Sequence, residues 1–576
     1  MRNKIDFSLA PEDLFFDPAS DSGMFFLEPP AFVWRARPPG RIEGFAASEH
    51  DNIRLRTERF IRQTRHHKTF RKGVEFKTAL VLLEGASYRK SFAMVGGKCL
   101  LNGASGIRLL NRYCWENEEA ADNPESRLVR YFSERQSTNR LEDLPLLTRP
   151  LPPGVDFAIE CRNTFNFYHF VTETLCHICL LDSIDFEGRI YIHFPNAEDK
   201  TRPFVLAFVE ALFPHFRGRI VLERAPKEYA QVLTAYNFFN SYYHLPPEVT
   251  APLDALAPSD EMWKGAEATR SSQAVLSMNS IDSSLVKLRE HALAAIREYD
   301  ASQLPRRFYV GRKPGASRDR AMEGEDKLLE FLAAFGFAQI AFEDLSPLDQ
   351  IALMAHAEVM ISPHGAGFAN MIFANPDALV IELGTLQTAV FRWGDFWPLA
   401  MVSGCRYVSF FADYKKDDPT SDPAFAADGI VPVALGRRGL GEVLAFVAAS
   451  LGHFPRLARA EDLSRLLQQL VRTGQPDRAL GLFEAHRELA RGQADLLLAL
   501  AEIHKGLGAP HAELVALTEA WQADTSRWHT LVQLIWCARK LGKTEVLAWA
   551  VNLLAELFPE RCLDLGRDRP WIRELL

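Results

Sequence analysis

From Arg307 to Gly384 the chain alternates short apolar runs that suit strands with amphipathic runs that suit helices, and nothing else in the sequence limits the fold as much. RFYVG reads as a strand, EDKLLEFLAAF as a helix closed by Gly336, and FAQIAFEDL as a second strand. Ser346 then caps the helix PLDQIALMAHA, which has Pro347 at its first position. EVMIS, GFANMIFA and ALVIELG continue as strand, short helix and strand. Strands separated by helices in this way belong to a parallel sheet covered by crossover helices. A similar pattern starts at Phe157, with helical TFNFYHFVTETLCHICLL, strand-like RIYIHF, helical PFVLAFVEALF, then RIVLE and YAQVLTAYNFF. Residues 250–280 lie between the two runs, rich in Ala, Pro and Ser and without a clear period, and read as a linker. The helix SSLVKLREHALAAIREYD, starting at Ser283 or Ser284, opens the second run. The expected fold class is α/β, a pair of Rossmann-type domains facing across a cleft.

The flanks differ from this centre. Before residue 150 the apolar runs are short and broken by Gly, Pro and Asn, which predicts strands and turns rather than long helices. After residue 453, Gly474, Gly508 and Gly542 recur at a step of 34, and Leu466, Leu500 and Leu534 keep the same step. That period fits tetratricopeptide-like helix pairs in which Gly closes the turn. The expected parts are a β-rich region over 1–150, part of or packed on the first half, an acceptor-side α/β domain over 151–282, a donor-side α/β domain over 283–452, and α-helical repeats over 453–576. The repeats would bind a protein partner or a second copy.

Composition removes whole classes of function. A chain of 576 residues with a net charge of −8 has no excess of cations for nucleic acid. No apolar run approaches the ~18 residues of a membrane span. The first residues carry acids and prolines where a secretory leader would be apolar. Eight scattered cysteines fit reduced thiols and a cytoplasmic protein, soluble or peripheral at the inner membrane. Cys176-x-x-Cys179 has no second ligand pair, so buried helix cysteines are expected rather than a metal site.

Three motifs carry chemistry. In EVMISPHGAGFANMIF a strand ends at Ser362-Pro363 and runs through His364, Gly365, Ala366 and Gly367 into a helix. Glycines let backbone N–H groups approach an anion, the helix start favours negative charge, and His364 can donate to a phosphate oxygen. The strand ending in Gly311 is followed by Arg312, Lys313, Arg318 and Arg320, cations suited to a diphosphate. Glu382 follows three aliphatic residues at another strand end, where it could accept both hydroxyls of a ribose. In the first half, Asn166, His169 and Glu173 share a helix face, and an imidazole held by a carboxylate could act as general base toward an acceptor hydroxyl. The chain has no Asp-x-Asp triplet of the kind that holds a divalent metal against a diphosphate.

In this order the motifs resemble glycosyltransferase family 61, through NFYHFVTE, YVGR, the run FEDLSPLDQIALMAHAEVMISPHGAGFANMIF and VIELG. The resemblance covers roughly residues 157–410 and implies a GT-B-like architecture. It also implies a nucleotide-diphosphate sugar as donor, UDP-linked, a glycan or glycoconjugate as acceptor, inversion at the anomeric carbon, and no metal or other cofactor. By position it makes Arg312, Arg318, Arg320, His364, Gly365, Ala366, Gly367, Asn370 and Glu382 donor contacts. His169, Glu173 and Asn166 fall on the acceptor side as catalytic candidates. Surface polysaccharide biosynthesis is the expected setting. A non-catalytic scaffold and a nucleotide-sugar epimerase or hydrolase on the same fold are the competing expectations.

Overall fold

Both runs of alternation form parallel sheets in the computed structural model, which describes residues 5–36, 41–66, 70, 72–89, 92–119, 125–161, 166–194, 202–238, 280–311, 322–451, 460–472 and 474–576. In the first sheet the strands Phe157–Glu160, Ile190–His193, Ile220–Glu223 and Lys227–Tyr236 are parallel, in the spatial order third, second, first, fourth. YAQVLTAY lies in the fourth of these strands. Ala79–Arg89 pairs antiparallel with it and carries Met24–Phe26 and the hairpin of Phe92–Val95 with Lys98–Cys99. In the second sheet Arg307–Val310, Ala338–Ile340, Val359–Pro363, Leu379–Thr385 and Arg406–Tyr414 are parallel, in the order second, first, third, fourth, fifth. In each sheet the order reverses beside its first strand. Loops at the carboxyl ends diverge there, and open α/β sheets bind ligands in the crevice so formed.

Local chemistry fixes the helix starts. Ser346 and Asp349 form the reciprocal cap expected ahead of Pro347. The helix Ser283–Ala295 starts where the sequence places it and is capped by Asp282, whose carboxylate accepts from the Ser284 amide at 2.8 Å. Residues 250–279 of the expected linker and the boundary at 453 lie outside the described residues, and Ser280 already opens the strand Ser280–Asp282.

The expectation for residues 1–150 needs two corrections. Helices Asp51–His66, Gly103–Glu116 and Arg127–Thr138 stand where strands and turns were predicted. Gly103 and Gly106 hid the second of these, although Leu109, Leu110 and Tyr113 behind them recur at helical spacing and are all buried. Nor does the segment belong to the first half alone. Ile42–Ala46 pairs in parallel with Arg406–Tyr414 and extends the second sheet.

One core is shared by both halves. Phe170, Val171 and Leu175 of the first pack in a single buried cluster with Phe368, Ile372 and Trp397 of the second. A second cluster joins the other face of the second sheet, through Ile361, Ile381 and Val447, to Leu463, Leu467 and Leu500 of the helical tail. The tail is built of successive helices, and Gly474, Gly508 and Gly542 close turns at φ of +76°, +68° and +65°, a region side chains avoid. Among the described residues no helix is long and apolar enough to cross a membrane.

Candidate functional site

The segment after the first strand of the first sheet is an irregular helix. Asn166 caps it, its side-chain oxygen accepting from the amides of Tyr168 at 3.0 Å and His169 at 3.5 Å. Phe167–Phe170 is α-helical and Val171–Leu175 widens into a π turn, a departure that recurs at functional sites. His169 Nδ1 lies 2.6 Å from Glu173 Oε1, with both side chains less than one-fifth exposed. With Nδ1–H given to the carboxylate, the Nε2 lone pair is the basic atom of the ring. Asn166, expected among the catalytic groups, spends its acceptor on the helix start. That cap fixes the start of the helix that carries His169.

In the second sheet, Val359–Pro363 leads through His364 and Gly365 into the tight helix Ala366–Phe373. A Cβ on Gly367 would lie 3.2 Å from the Phe342 ring, a tight contact that the ring would have to relieve. The amides of Ala366 and Gly367 precede the first bond of the turn, from the Phe368 N–H to the Gly365 carbonyl. His364 Nδ1 lies 2.5 Å from Glu382 Oε1. The other oxygen of Glu382 accepts from the Tyr407 hydroxyl and from Ser409 Oγ at 2.9 Å.

Glu382 is therefore a correction. It is fully buried and its oxygens already accept from three side chains, so it cannot take the hydroxyls of a ribose. Its role is to hold His364 in one orientation. Asn370 is corrected likewise, because its side chain is fully buried and donates to Gln350 Oε1 at 3.0 Å beneath the loop. Arg312, Lys313, Arg318 and Arg320 lie outside the described residues.

Aromatic rings connect the two histidine–carboxylate pairs. Tyr168, beside His169, packs edge-on against Phe396 with centroids 5.8 Å apart, and Phe396 meets the His364 ring at 5.4 Å. The Tyr168 hydroxyl also donates to the Asp395 carbonyl at 2.9 Å, and the His169 helix packs on the helix that follows His364. Motifs nearly two hundred residues apart thus meet where the two halves face each other. Sequence reasoning missed Tyr168, Phe396, Tyr407 and Ser409. Only the first stood in a quoted motif, and nothing local marked the other three.

Residues 167–381 match the family model described as Glycosyltransferase 61. The chain carries a glycosyltransferase 61 domain. It is accordingly a sugar-transferring enzyme, acting between a sugar donor and an acceptor. The matched segment of this transferase opens on the His169 helix and closes one residue before Glu382. A comparison with curated proteins finds no match.

Among the described residues of the transferase, one group of side chains has metal-ligating character, Cys176, His177 and Asp282, with ligand atoms within 4.8 Å of one another. Asp282 is already a hydrogen-bond hub, accepting from Ser284, Thr78 and Asn237 as well as meeting His177 at 2.9 Å. Burial opposes ionisation of both partners. Even so, Cys176 and Asp282 hold His177 charged well above the ordinary imidazole range, and His177 with the hydroxyls holds Asp282 below the ordinary carboxylate range. The arrangement works as a buried ion pair at the root of the helix Ser283–Ala295. Cys176 and Cys179 are free and buried, as expected.

Proposed function

We propose that the enzyme is an inverting glycosyltransferase that moves a sugar from a nucleotide-diphosphate donor to a hydroxyl of a glycan or glycoconjugate. The observation that carries this reading is the meeting of the His169–Glu173 and His364–Glu382 pairs through Tyr168 and Phe396. His169 Nε2 takes the acceptor proton as the hydroxyl attacks the anomeric carbon, and Glu173 stabilises the imidazolium that forms. The diphosphate departs from the opposite face toward His364 and the amides of Ala366 and Gly367, with Arg312, Arg318 and Arg320 as further cations. Donors positioned before the reaction stabilise developing charge without reorganising. In the absence of Asp-x-Asp, side-chain and backbone donors replace a metal at the leaving group, so turnover persists in chelator.

The two sheets then form a GT-B-like pair, and the tail with its 34-residue glycine step serves as tetratricopeptide-like repeats that bind a partner. A cytoplasmic role in surface polysaccharide synthesis accords with these parts. The test is a panel of nucleotide sugars, UDP-linked ones first, read by thermal shift and donor hydrolysis, because a bound donor stabilises the fold by mass action. His169→Ala is expected to abolish turnover while leaving the donor-induced shift in place. Turnover that survives this substitution removes His169 as the base, and a panel without any binding leaves the scaffold reading in its place.

A further inference from the structure

The first sheet has its own crevice, and the group that lies in it has no part in the reaction described above. Glu160 ends the strand Phe157–Glu160, the position beside which the strand order reverses. It is only 9% exposed, and among the described residues neither carboxylate oxygen has a hydrogen-bond partner. Buried carboxylates are rarely left so, because an isolated charge there is costly. Glu160 lines a small polar pocket together with Asn102, Ser105, Glu173, His177 and Thr234. Glu173 therefore borders this cavity while holding His169 through Oε1.

Titratable groups on three elements face Glu160. Arg108 approaches from the helix Gly103–Glu116, His177 and Glu173 from the irregular helix, and the Tyr88 phenol from the strand Ala79–Arg89. Burial is the strongest influence and raises the Glu160 carboxyl well above its ordinary range, with Glu173 adding to the rise, against Arg108 and His177.

We propose that Glu160 is a positioning residue for the base: a neutral carboxylic acid that donates its O–H, through water held in the polar cavity, to the Glu173 carboxylate. This rests on the reading of His169 as the base. Only the acceptor proton moves, from the hydroxyl to His169 Nε2, and Glu160 keeps its own throughout. Its hydrogen bond withdraws charge from Glu173, the carboxylate that orients His169.

Two variants and one spectroscopic measurement test the assignment. Glu160→Gln keeps a donor in place and is expected to retain kcat within about twofold. Glu160→Ala removes it and is expected to lower kcat roughly tenfold or more, the range of one lost charge-assisted hydrogen bond, with donor KM unchanged. The acid limb of its kcat profile should move to higher pH, a shift that a merely structural role would not produce. An infrared difference between wild type and Glu160→Gln at neutral pH should show a carboxylic-acid carbonyl band in the wild type alone. Absence of that band, or an acid limb and kcat unchanged in Glu160→Ala, overturns the proposal. If no donor turns over, the transferase reading fails while the infrared band still reports on Glu160, so the two failures are distinguishable.

Discussion

Replacing Glu382 by Gln tests whether His364 is held by a buried carboxylate. The side chain is fully buried and accepts from His364, Tyr407 and Ser409. An amide in its place keeps one acceptor oxygen and turns an N–H₂ group toward side chains that themselves donate. Tyr407 cannot relieve the clash by ionising, since burial first, and then neighbouring charge, hold its phenol well above the ordinary range. Hydrogen bonds to a charged group contribute about 1.5–3 kcal/mol each, and a buried donor left unpaired costs about 1–3 kcal/mol. Two of the three contacts are lost or weakened, so the expected destabilisation is roughly 3–5 kcal/mol. Over a chain of 576 residues unfolding as one unit, about 0.8 °C per kcal/mol, this lowers Tm by roughly 2–4 °C. Thermal melts measure it directly, and titration with a nucleotide sugar should show donor affinity falling about tenfold as His364 loses its orientation. The combined Glu382→Gln, Tyr407→Phe variant removes one of the opposed donors, so its loss should fall short of the sum of the single losses by about 1–3 kcal/mol. A single variant that melts and binds donor like wild type, or strict additivity in the double variant, refutes the reasoning.

Tyr168→Phe deletes the hydroxyl bond to the Asp395 carbonyl between the halves and keeps the ring on Phe396. It should cost about 1 kcal/mol in melts and lower kcat/KM more than stability, and an unchanged kcat/KM would separate this contact from catalysis. Asp282→Asn should destabilise by about 3–5 kcal/mol by stranding His177 as an unpaired buried cation. In the wild type the ion pair's contribution should fade as pH falls through the lowered Asp282 range, and again as pH rises from the ordinary imidazole value through the raised His177 range; a flat profile would refute the pairing. Glu43 is buried beside Arg406 at 3.2 Å and Arg478 at 3.0 Å, and burial raises it to about 7 against the pull of Arg478 and Arg65. The folded state therefore binds the extra proton, so stability contributed by this group is lost as pH rises from the ordinary carboxylate range through about 7. Glu43→Gln should remove that slope from the pH dependence of Tm, and an unchanged slope would place its origin elsewhere.

What the sequence disclosed depended on how local the cause was. Ser346, Pro347 and Asp349 announce a helix start because the capping bonds join residues three apart. The strands ending at Gly311, Pro363 and Gly384 were readable because apolar runs bounded by turn residues need no distant partner to be recognised. The histidine pairs split along this line. His169 and Glu173 are neighbours on one helix, whereas His364 and Glu382 meet because two adjacent strands end together. The second meeting could be placed at a common edge from sequence, but not its geometry. Tyr407 and Ser409 sit inside RYVSFF, where nothing local marks them, and they become site residues because that strand lies beside Glu382. The N-terminal helices were missed through weighting breakers above periodicity, and the excursion of Ile42–Ala46 into the second sheet has no local signal at all.

That excursion has a consequence for how the chain is made. Ile42 pairs with Tyr407, 365 residues further on. At synthesis rates of about 5–20 residues per second, the strand emerges from the ribosome roughly 20–70 s before its partner exists. The edge it will complete belongs to the strand that also supplies Tyr407 and Ser409. The donor-side sheet is therefore among the last parts to close, and until then Phe45 and Ile42 wait without the strand they pack beside. A chain interrupted before residue 407 holds every catalytic candidate named from sequence, yet lacks the strand that fixes the charge behind His364.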